Sequence, residues 1–260
     1  MPTALQHQMK LILTAFFLLG ALWSMPARAE EVTSATLAQH PSLAHYREVL
    51  GDKKRHLTIV ALGDSNTEVN WTSRGHLNWT GLVQVGLFES GHAGRYTFIN
   101  AGVSGDSTGD ALARLERDVT PFHPDLVIIT LGTNDALKGS AEQARTNLRT
   151  MIQRLRQQTP APSLLLRTPQ PIYDPQTKNY TEDPNLLAVV QAMREVAKEQ
   201  NVALVDHTGH WFFSSMFQPE TVMYDKLHPN EKGHRQFYAE LAPVLGLKER
   251  FRWEKSAATP

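Results

Sequence analysis

The sequence contains no cysteine, and this absence excludes several kinds of chemistry at once. Without thiols the chain cannot form disulfides or thiolate metal sites, and it has neither a cysteine nucleophile nor a lipid-modified N-terminal cysteine. An excess of charge of one sign is also missing, because 26 Lys and Arg residues balance 26 Asp and Glu residues. A neutral chain offers no basic footprint for nucleic acid, so we expect no nucleic-acid partner.

The N-terminus differs in composition from the rest of the chain. Lys10 is followed by an apolar stretch, Leu11–Trp23, and then by Ala27-Arg28-Ala29. This order is typical of a secretory signal peptide, and we predict cleavage after Ala29. The alternative is a membrane anchor, but the run is short for a spanning helix. We therefore expect a secreted or periplasmic protein with no stable membrane insertion after cleavage, and a chain without disulfides fits a bacterial periplasm.

The remaining sequence is long enough for one α/β domain with a sizeable core, since the chain has 260 residues, of which 41% are hydrophobic. Five short, nearly continuous apolar runs predict strands of a parallel sheet that is covered on both faces. Helical patterns lie between these runs, which indicates a doubly wound α/β fold. The predicted strands are Thr58–Leu62, Tyr96–Asn100, Leu126–Leu131, Ser163–Thr168 and Val202–Asp206.

Capping signals predict where two of the helices begin. Ser140-x-x-Gln143 has the spacing of a capping box, and Asp183 precedes Pro184 as an N-cap residue would. A short helix is expected near Leu43–Leu50, ahead of the main domain. The predicted organisation is a signal peptide (1–29), an N-terminal extension (30–56), a catalytic domain (57–246) and a flexible tail (247–260).

Polar blocks follow three of the predicted strands, and a fourth block precedes the last helix. Ligands of doubly wound sheets bind beyond the C-terminal ends of the strands, so we expect these blocks to meet. Each block alone is ordinary turn chemistry, but together they supply the parts of a hydrolytic site. The blocks are Gly63–Asn66, Ala101–Asp106, Gly132–Asp135 and Asp225–Asn230.

The first and last blocks supply an activated nucleophile. A serine hydroxyl becomes a good nucleophile only when a base takes its proton, and we predict Ser65 as nucleophile and His228 as base. Asp225, three residues earlier, can accept the other ring N–H and fix the tautomer of the imidazole. Pro229 would begin the last helix and place His228 at or near its cap. The alternative role for His228 is a surface residue that caps the helix.

The other two blocks offer donors for the negative charge that develops on an attacked carbonyl oxygen. We predict that the N–H of Ser65, the N–H of Gly105 and the side-chain amide of Asn134 form this oxyanion hole. The alternatives are a tight turn at Gly105 and an asparagine side chain that closes a turn at Asn134.

The four blocks together resemble those of the SGNH/GDSL hydrolases, a family named for Ser, Gly, Asn and His in separate blocks. Order and spacing agree from about residue 57 to residue 245, although Asn66 stands where the family name has Leu. The resemblance implies a three-layer α/β/α, flavodoxin-like fold with a five-stranded parallel sheet. It also implies a serine esterase that uses Ser65, His228 and Asp225 and the same three oxyanion donors, with no metal or organic cofactor.

Three competing motifs are weaker. The glycine-rich loop Gly102–Gly109 lacks the lysine and the spacing of a phosphate-binding loop. His207-x-x-His210 with Asp206 could ligate a metal, but no accompanying glutamate motif occurs, so a structural role or a place in a pocket wall is favoured. The nucleophile elbow of α/β-hydrolases would need glycine at position 67, where Thr67 stands.

The substrate is the least determined feature. Asp64, Trp71 and Tyr173 are the candidate substrate-binding residues, whereas Trp79 is expected in the core. We favour short-chain or carbohydrate-linked acetyl esters, either small molecules or polysaccharides. A lysophospholipase or long-chain esterase is the alternative, and an O-acyltransferase would use the same acyl-enzyme. A non-catalytic binding module would show a broken set of blocks, and none is broken here.

Overall fold

The structure, a computed structural model, describes residues 33–75, 77–213 and 218–251. The predicted signal peptide, residues 1–29, and the last part of the predicted tail, residues 252–260, lie outside these ranges. Within the described ranges, none of the helices has both the length and the apolar character needed to cross a membrane.

The five apolar runs form one parallel sheet, which confirms the predicted fold class. The strands in the described chain are β1 (Leu57–Gly63), β2 (Tyr96–Gly102), β3 (Leu126–Thr130), β4 (Ser163–Arg167), β5 (Ile172–Asp174), β6 (Asn179–Thr181) and β7 (Ala203–Val205). The main sheet has the order β2-β1-β3-β4-β7, and its neighbouring strands pair in parallel. Because β2 and β3 lie on opposite sides of β1, the winding reverses there and opens a crevice at the strand ends.

Alternate residues of the central strands enter two separate cores. Ile59 of β1 contributes to the core on one face of the sheet, and Val60 contributes to the core on the other. Leu126 and Val127 of β3 divide in the same way. Successive side chains of a strand point to opposite faces, so a nearly continuous apolar strand is expected when helices cover both.

Helices cover both faces of the sheet and give three layers. The helices in the described chain are α1 (Ser34–Ala38), α2 (Ala44–Gly51), α3 (Trp79–Leu87), α4 (Thr108–Ala113), α5 (Leu115–Asp118), α6 (Thr133–Leu137), α7 (Ala141–Arg156), α8 (Pro184–Glu199), α9 (His207–Phe213), α10 (Pro219–Val222) and α11 (Glu231–Leu241). Side chains of α2, α3 and α11 belong to one core. Side chains of α4, α7 and α8 belong to the other.

Helix ends follow the capping predictions only in part. Asp183 accepts a hydrogen bond from the N–H of Leu186 at 2.8 Å, as predicted. The capping box predicted at Ser140 is wrong, because its hydroxyl donates instead to the carbonyl oxygen of Asp135 at 3.1 Å. The predicted helix start at Pro229 is also wrong. Helix α11 begins two residues later, where Asn230 is the N-cap residue.

The N-terminal segment packs against the domain. Tyr46 of α2 is buried, its N–H donates to Ser163 Oγ at 2.8 Å, and its hydroxyl donates to the carbonyl oxygen of Leu245 at 2.8 Å. At the other terminus Leu247 and Phe251 are buried, so the flexible tail predicted from residue 247 begins too early. These apolar side chains cover the same core as α2.

Candidate active site

A tight turn follows β1 and carries Ser65. The carbonyl oxygen of Asp64 accepts hydrogen bonds from the N–H groups of Thr67 and Glu68, both at 2.9 Å. The carboxylate of Asp64 accepts the N–H of Asn66 at 2.9 Å. Within the described chain the N–H of Ser65 is left without a partner, so the turn presents this one donor for another use.

Glycines at two strand ends allow this turn to pack closely against the sheet. A Cβ atom at Gly63 would lie 2.0 Å from Thr67 Oγ1, and a Cβ atom at Gly102 would lie 2.3 Å from the backbone nitrogen of Glu68. Only glycine permits such approaches without moving the backbone. The ends of β1 and β2 are therefore in direct contact with the turn.

Helix α3 holds the other side of the turn. Trp79 is fully buried, which confirms its predicted place in the core, and its indole N–H donates to the carbonyl oxygen of Asn66 at 3.0 Å. The side-chain amide of Asn78 donates to the carbonyl oxygen of Glu68 at 3.0 Å. These bonds fix the backbone around Ser65 from the core side.

Ser65, His228 and Asp225 form a hydrogen-bonded chain, although 163 positions separate the serine from the histidine. Ser65 Oγ lies 3.0 Å from His228 Nε2. His228 Nδ1 lies 2.9 Å from both carboxylate oxygens of Asp225. With Nδ1–H donating to the carboxylate, Nε2 is free to accept the serine proton.

A backbone turn fixes Asp225 and His228 relative to each other. The carboxylate of Asp225 also accepts the N–H groups of Leu227 and His228, both at 2.8 Å. The N–H of Tyr224 donates to the carbonyl oxygen of His228 at 2.8 Å. Partial burial raises the pKa of Asp225, but the hydrogen bonds from Leu227 and His228 outweigh it and leave the pKa below its ordinary value. The carboxylate is therefore ionised at neutral pH.

Gly105 and Asn134 lie on the two neighbouring loops. Gly105 has a φ of 82°, in the left-handed region that favours glycine, and its N–H has no partner in the described residues. Asn134 lies in the first turn of α6, directly after β3, and its amide donates one hydrogen to the carbonyl oxygen of Asp106 at 2.9 Å. The second amide hydrogen is available. The N–H of Ser65, the N–H of Gly105 and this amide hydrogen, which the sequence proposed as oxyanion donors, are thus each without an acceptor among the described residues.

Two side chains beyond the predicted site join its loops. Asp135 accepts the N–H of Thr108 at 3.0 Å and its hydroxyl at 2.6 Å, which ties α4 to α6. Arg114 donates to the Asp106 carboxylate at 2.6 Å and to the carbonyl oxygen of Gly63 at 3.0 Å. Arg114 is not among the residues identified from the sequence. The only signal that Arg114 gives in the sequence is its position as a basic residue among the helically spaced apolar residues Ala111, Leu115 and Val119.

Comparison with known families decides the assignment. The model of the GDSL-like Lipase/Acylhydrolase family matches residues 61–236. The chain belongs to this family. The matched range contains all of the polar blocks from Gly63 to Asn230, and it confirms the resemblance found in the sequence. This GDSL-like hydrolase is a carboxylic ester hydrolase.

Individual relatives agree with the family assignment. The Esterase TesA of Pseudomonas aeruginosa is 34% identical over 192 residues, which cover 72% of this chain and 87% of the relative. The Arylesterase of Vibrio mimicus is 31% identical over 173 residues, covering 66% of this chain and 79% of the relative. A solved acetyl xylan esterase shares the fold, with a TM-score of 0.62 at 23% identity, over 71% of this chain and 98% of that chain.

The three candidate substrate-binding residues of the GDSL-like hydrolase differ in accessibility. Asp64 is only 1% exposed and its carboxylate is used inside the turn, which leaves no surface for direct contact with a substrate. Tyr173 is buried too, and its N–H donates to the carbonyl oxygen of Lys226 at 2.9 Å, in the turn between Asp225 and His228. Trp71 is 76% exposed, and the neighbouring Asn70 donates to the carbonyl oxygen of Ser65 at 2.9 Å.

A buried charged cluster lies beneath the turn. The guanidinium of Arg167 stacks on the rings of Trp79, at 4.1 Å, and Phe237, at 4.7 Å, and its Nε donates to His207 Nε2 at 2.8 Å. His207 must therefore carry its proton on Nδ1, which faces Glu240 at 2.5 Å. Burial lowers the pKa of Arg167 to about 9 and that of His207 to about 4. The imidazole is neutral and bridges two opposite charges.

The metal-binding alternative for this region receives no support from the geometry. Asp206 bonds to Arg194 at 2.8 Å, whereas His207 and His210 both contact Glu240. In the described part of the chain, no group of three or more His, Asp or Glu side chains is arranged to hold a metal ion. His207 has the structural role that the sequence favoured.

Proposed function

We propose that this hydrolase is a serine esterase in which Ser65 is the nucleophile, His228 the general base and Asp225 the residue that orients the base. The observation that carries the proposal is the distance of 3.0 Å between Ser65 Oγ and His228 Nε2, with the opposite ring nitrogen held by Asp225. This is the arrangement that nucleophilic catalysis by an otherwise weak hydroxyl requires.

The reaction proceeds through two tetrahedral intermediates. Ser65 Oγ attacks the ester carbonyl carbon while its proton moves to His228 Nε2. The intermediate collapses when the C–O bond to the alcohol breaks, and His228 returns the proton to the departing oxygen. Water then attacks the acyl-enzyme, gives a proton to His228, and the carboxylic acid leaves as Ser65 is reprotonated.

Three donors meet the charge on the carbonyl oxygen in both intermediates. They are the N–H of Ser65, the N–H of Gly105 and the second amide hydrogen of Asn134. Each of the backbone donors lacks another partner in the described chain, and the amide is fixed by Asp106, so little reorganisation is needed. Loss of one such donor typically lowers kcat by about 10²–10³.

The deciding experiment replaces Ser65 and His228 separately by alanine. Each change should lower kcat for p-nitrophenyl acetate by several orders of magnitude, while the circular dichroism spectrum and Tm stay near those of the wild type. Ser73→Ala is the matched control, because Ser73 is buried nearby and makes only long contacts, of 3.4 and 3.5 Å. A fluorophosphonate probe should label Ser65. Wild-type turnover by Ser65→Ala would refute the mechanism.

For the substrate we propose short-chain esters, with acetyl groups on carbohydrate as the favoured class. Trp71 supports this choice, because a flat, exposed aromatic ring beside the nucleophile turn can stack on a sugar ring. Trp71→Ala should raise KM for an acetylated xylo- or manno-oligosaccharide about tenfold and leave kcat/KM for p-nitrophenyl acetate unchanged. Equal effects on both substrates would remove the carbohydrate part of the proposal.

One observation favours longer or aromatic acyl groups as the second candidate. Most of the large apolar side chains exposed in the described chain lie within a few positions of the polar blocks. They are Val69, Trp71, Val103, Leu137 and Tyr224. Such side chains could cover an acyl chain that leaves Ser65. A series of p-nitrophenyl esters from acetate to palmitate separates the candidates, since a preference for eight or more carbons would exclude the acetyl class.

Export is a separate proposal that rests on the sequence before Glu30. The basic residue, apolar run and A-x-A site support removal of residues 1–29 by a signal peptidase. The mature protein recovered from the periplasm or medium should begin at Glu30 by N-terminal sequencing. An intact N-terminus on a membrane-bound protein would instead identify an anchor.

A further inference from the structure

The loop that carries Gly105 is held to the rest of the site by a buried guanidinium. Arg114 is only 8% exposed and lies between α4 and α5. Its three nitrogens reach three different acceptors: Nε bonds to Asp106 Oδ2 at 2.6 Å, Nη1 to Asp118 Oδ2 at 3.1 Å, and Nη2 to the carbonyl oxygen of Gly63 at 3.0 Å. Two carboxylates thus surround one buried cation.

Two of these acceptors, Gly63 and Asp106, are connected to the proposed oxyanion donors. Gly63 lies two residues before Ser65, on the strand that leads into the nucleophile turn. Asp106 follows Gly105 directly, so its side chain sets the position of the Gly105 N–H. The carbonyl oxygen of the same Asp106 accepts the amide of Asn134 at 2.9 Å. One guanidinium therefore joins the segments of Ser65 and Gly105 directly, and the segment of Asn134 through Asp106.

We propose that Arg114 is a positioning residue that sets the spacing of the oxyanion hole, an inference that rests on the proposed function. An arginine suits this role because its planar guanidinium donates in three fixed directions at once, which a lysine ammonium on a flexible stem does not. The ion pair with Asp106 is largely shielded from solvent, since the two side chains are 8% and 13% exposed.

Other contacts keep the same loop folded without Arg114. The hydroxyl of Ser104 donates to Glu68 at 2.5 Å, and the N–H of Val103 donates to the carbonyl oxygen of Gly63 at 3.0 Å. Thr108 is anchored on Asp135. Loss of Arg114 should therefore shift Gly105 and Asp106 locally rather than unfold the domain, which separates a positioning role from a general structural one.

The test compares Arg114→Met, Arg114→Lys and the control Arg117→Met. Arg117 is 74% exposed and shares the acceptor Asp118 with Arg114. Its replacement removes one positive charge three residues away but leaves the bonds of Arg114 to Asp106 and Gly63 in place. For folded Arg114→Met we expect kcat for p-nitrophenyl acetate to fall about 10- to 100-fold, with KM within about twofold of the wild type. The expected fall is smaller than for complete loss of an oxyanion donor, because the donor is displaced rather than removed. Arg114→Lys should retain more activity than Arg114→Met, and Arg117→Met should match the wild type.

A tetrahedral inhibitor distinguishes positioning from loss of folded protein. An alkylboronic acid forms an adduct with the serine whose oxygen occupies the oxyanion hole, so its Ki should rise by the same factor as kcat/KM falls. Where Arg114→Met does not fold, Asp106→Asn replaces it, because this change keeps the carbonyl that holds Asn134 and removes the charge that holds Arg114. In the double variant Arg114→Met/Asp106→Asn, kcat should fall no further than in the worse single variant.

The outcomes separate this inference from the proposed function. If Ser65→Ala abolishes hydrolysis but folded Arg114→Met keeps kcat and Ki within about twofold of Arg117→Met, only the inference on Arg114 is wrong. If Ser65→Ala keeps wild-type activity, the proposed function itself is wrong. A rise in KM with unchanged kcat in Arg114→Met would also overturn the positioning role, because it would place the effect in substrate binding.

Discussion

Replacing Asp64 by asparagine should stabilise the protein at neutral pH and have a smaller effect in acid. Burial raises the pKa of this carboxyl from 3.8 to about 6, against the lowering effects of the Asn66 N–H and of His228. Asparagine retains an oxygen that can accept the N–H of Asn66, at 2.9 Å in the wild type. It differs from the ionised aspartate chiefly in having no charge to bury, so the free energy of unfolding should increase where Asp64 is ionised.

The sign and size of the effect follow from linkage. A carboxyl whose pKa is raised by folding binds its proton more tightly in the native state, so the wild type loses stability as pH rises from about 4 to about 6. The shift from 3.8 to about 6, at ~1.36 kcal/mol per pKa unit, corresponds to about 3 kcal/mol above pH 6. About one third of this loss is already present at pH 4.5.

Urea unfolding of Asp64→Asn and wild type at pH 4.5 and pH 7.5 tests this reasoning. The stability difference between variant and wild type should grow by about 2 kcal/mol in favour of asparagine at the higher pH. Other groups that titrate in both proteins cancel in this double difference. An equal difference at the two pH values, or a larger one at pH 4.5, would refute the idea that Asp64 is ionised at a cost in the folded state.

Two further predictions concern stability. Burial lowers the pKa of His207 to about 4 and that of His234, in α11, to about 3, so each imidazole lowers the free energy of unfolding by up to ~1.4 kcal/mol per pH unit as pH falls below 6.5. Protonation of Asp64 raises this free energy between pH 6 and pH 4, but by only about as much as one of the two histidines lowers it. The urea midpoint should therefore fall from pH 7 to pH 4.5, and a constant midpoint would contradict this. Gly102→Ala should destabilise the protein by more than about 2 kcal/mol, because the new Cβ would lie 2.3–2.8 Å from backbone atoms. Gly109→Ala is the control, because its Cβ would meet only Asn147 Nδ2, at 3.4 Å, and Ser107 Oγ, at 3.7 Å. Equal Tm values for the two alanine variants would contradict this, because they would show that the turn at Thr67 and Glu68 moves to accept the Cβ atom at little cost.

The parallel sheet could be predicted from sequence because burial on both faces leaves a simple signal. Strands β1 and β3 have few polar side chains, and short turn-rich segments separate them from helices with clear apolar spacing. Ser65, Gly105 and Asn134 could be chosen as candidates because the topology brings the ends of parallel strands to one edge, and His228 because Asp225 stands three residues before it. The order of strands and polar blocks along the chain was therefore enough to predict which segments would meet.

The same local reasoning failed where a side chain had several acceptable partners. Ser140 has the spacing of a capping residue, yet its hydroxyl bonds to Asp135, which the fold places within reach. Pro229 can begin a helix, but Asn230 accepts the N–H groups of Lys232 and Gly233 and begins it instead. Arg114 was missed because its acceptors lie up to 51 positions away along the chain, and no periodic pattern encodes such a contact.

The two halves of the proposed site differ in how deeply their side chains are buried. The side chains of Asp225 and His228 are 46% and 25% exposed, so water screens the attraction between them. In the proposed mechanism the carboxylate therefore acts mainly by fixing the tautomer and direction of the imidazole. Arg114 and Asp135, which join the loops of the proposed oxyanion donors, are almost completely buried, where hydrogen bonds to charged partners are strongest. The proposed charge stabilisation therefore rests on buried groups, whereas Trp71, the proposed contact for the substrate, is exposed. We therefore expect substitutions of exposed residues such as Trp71 to change the preferred ester while the proposed oxyanion hole stays intact.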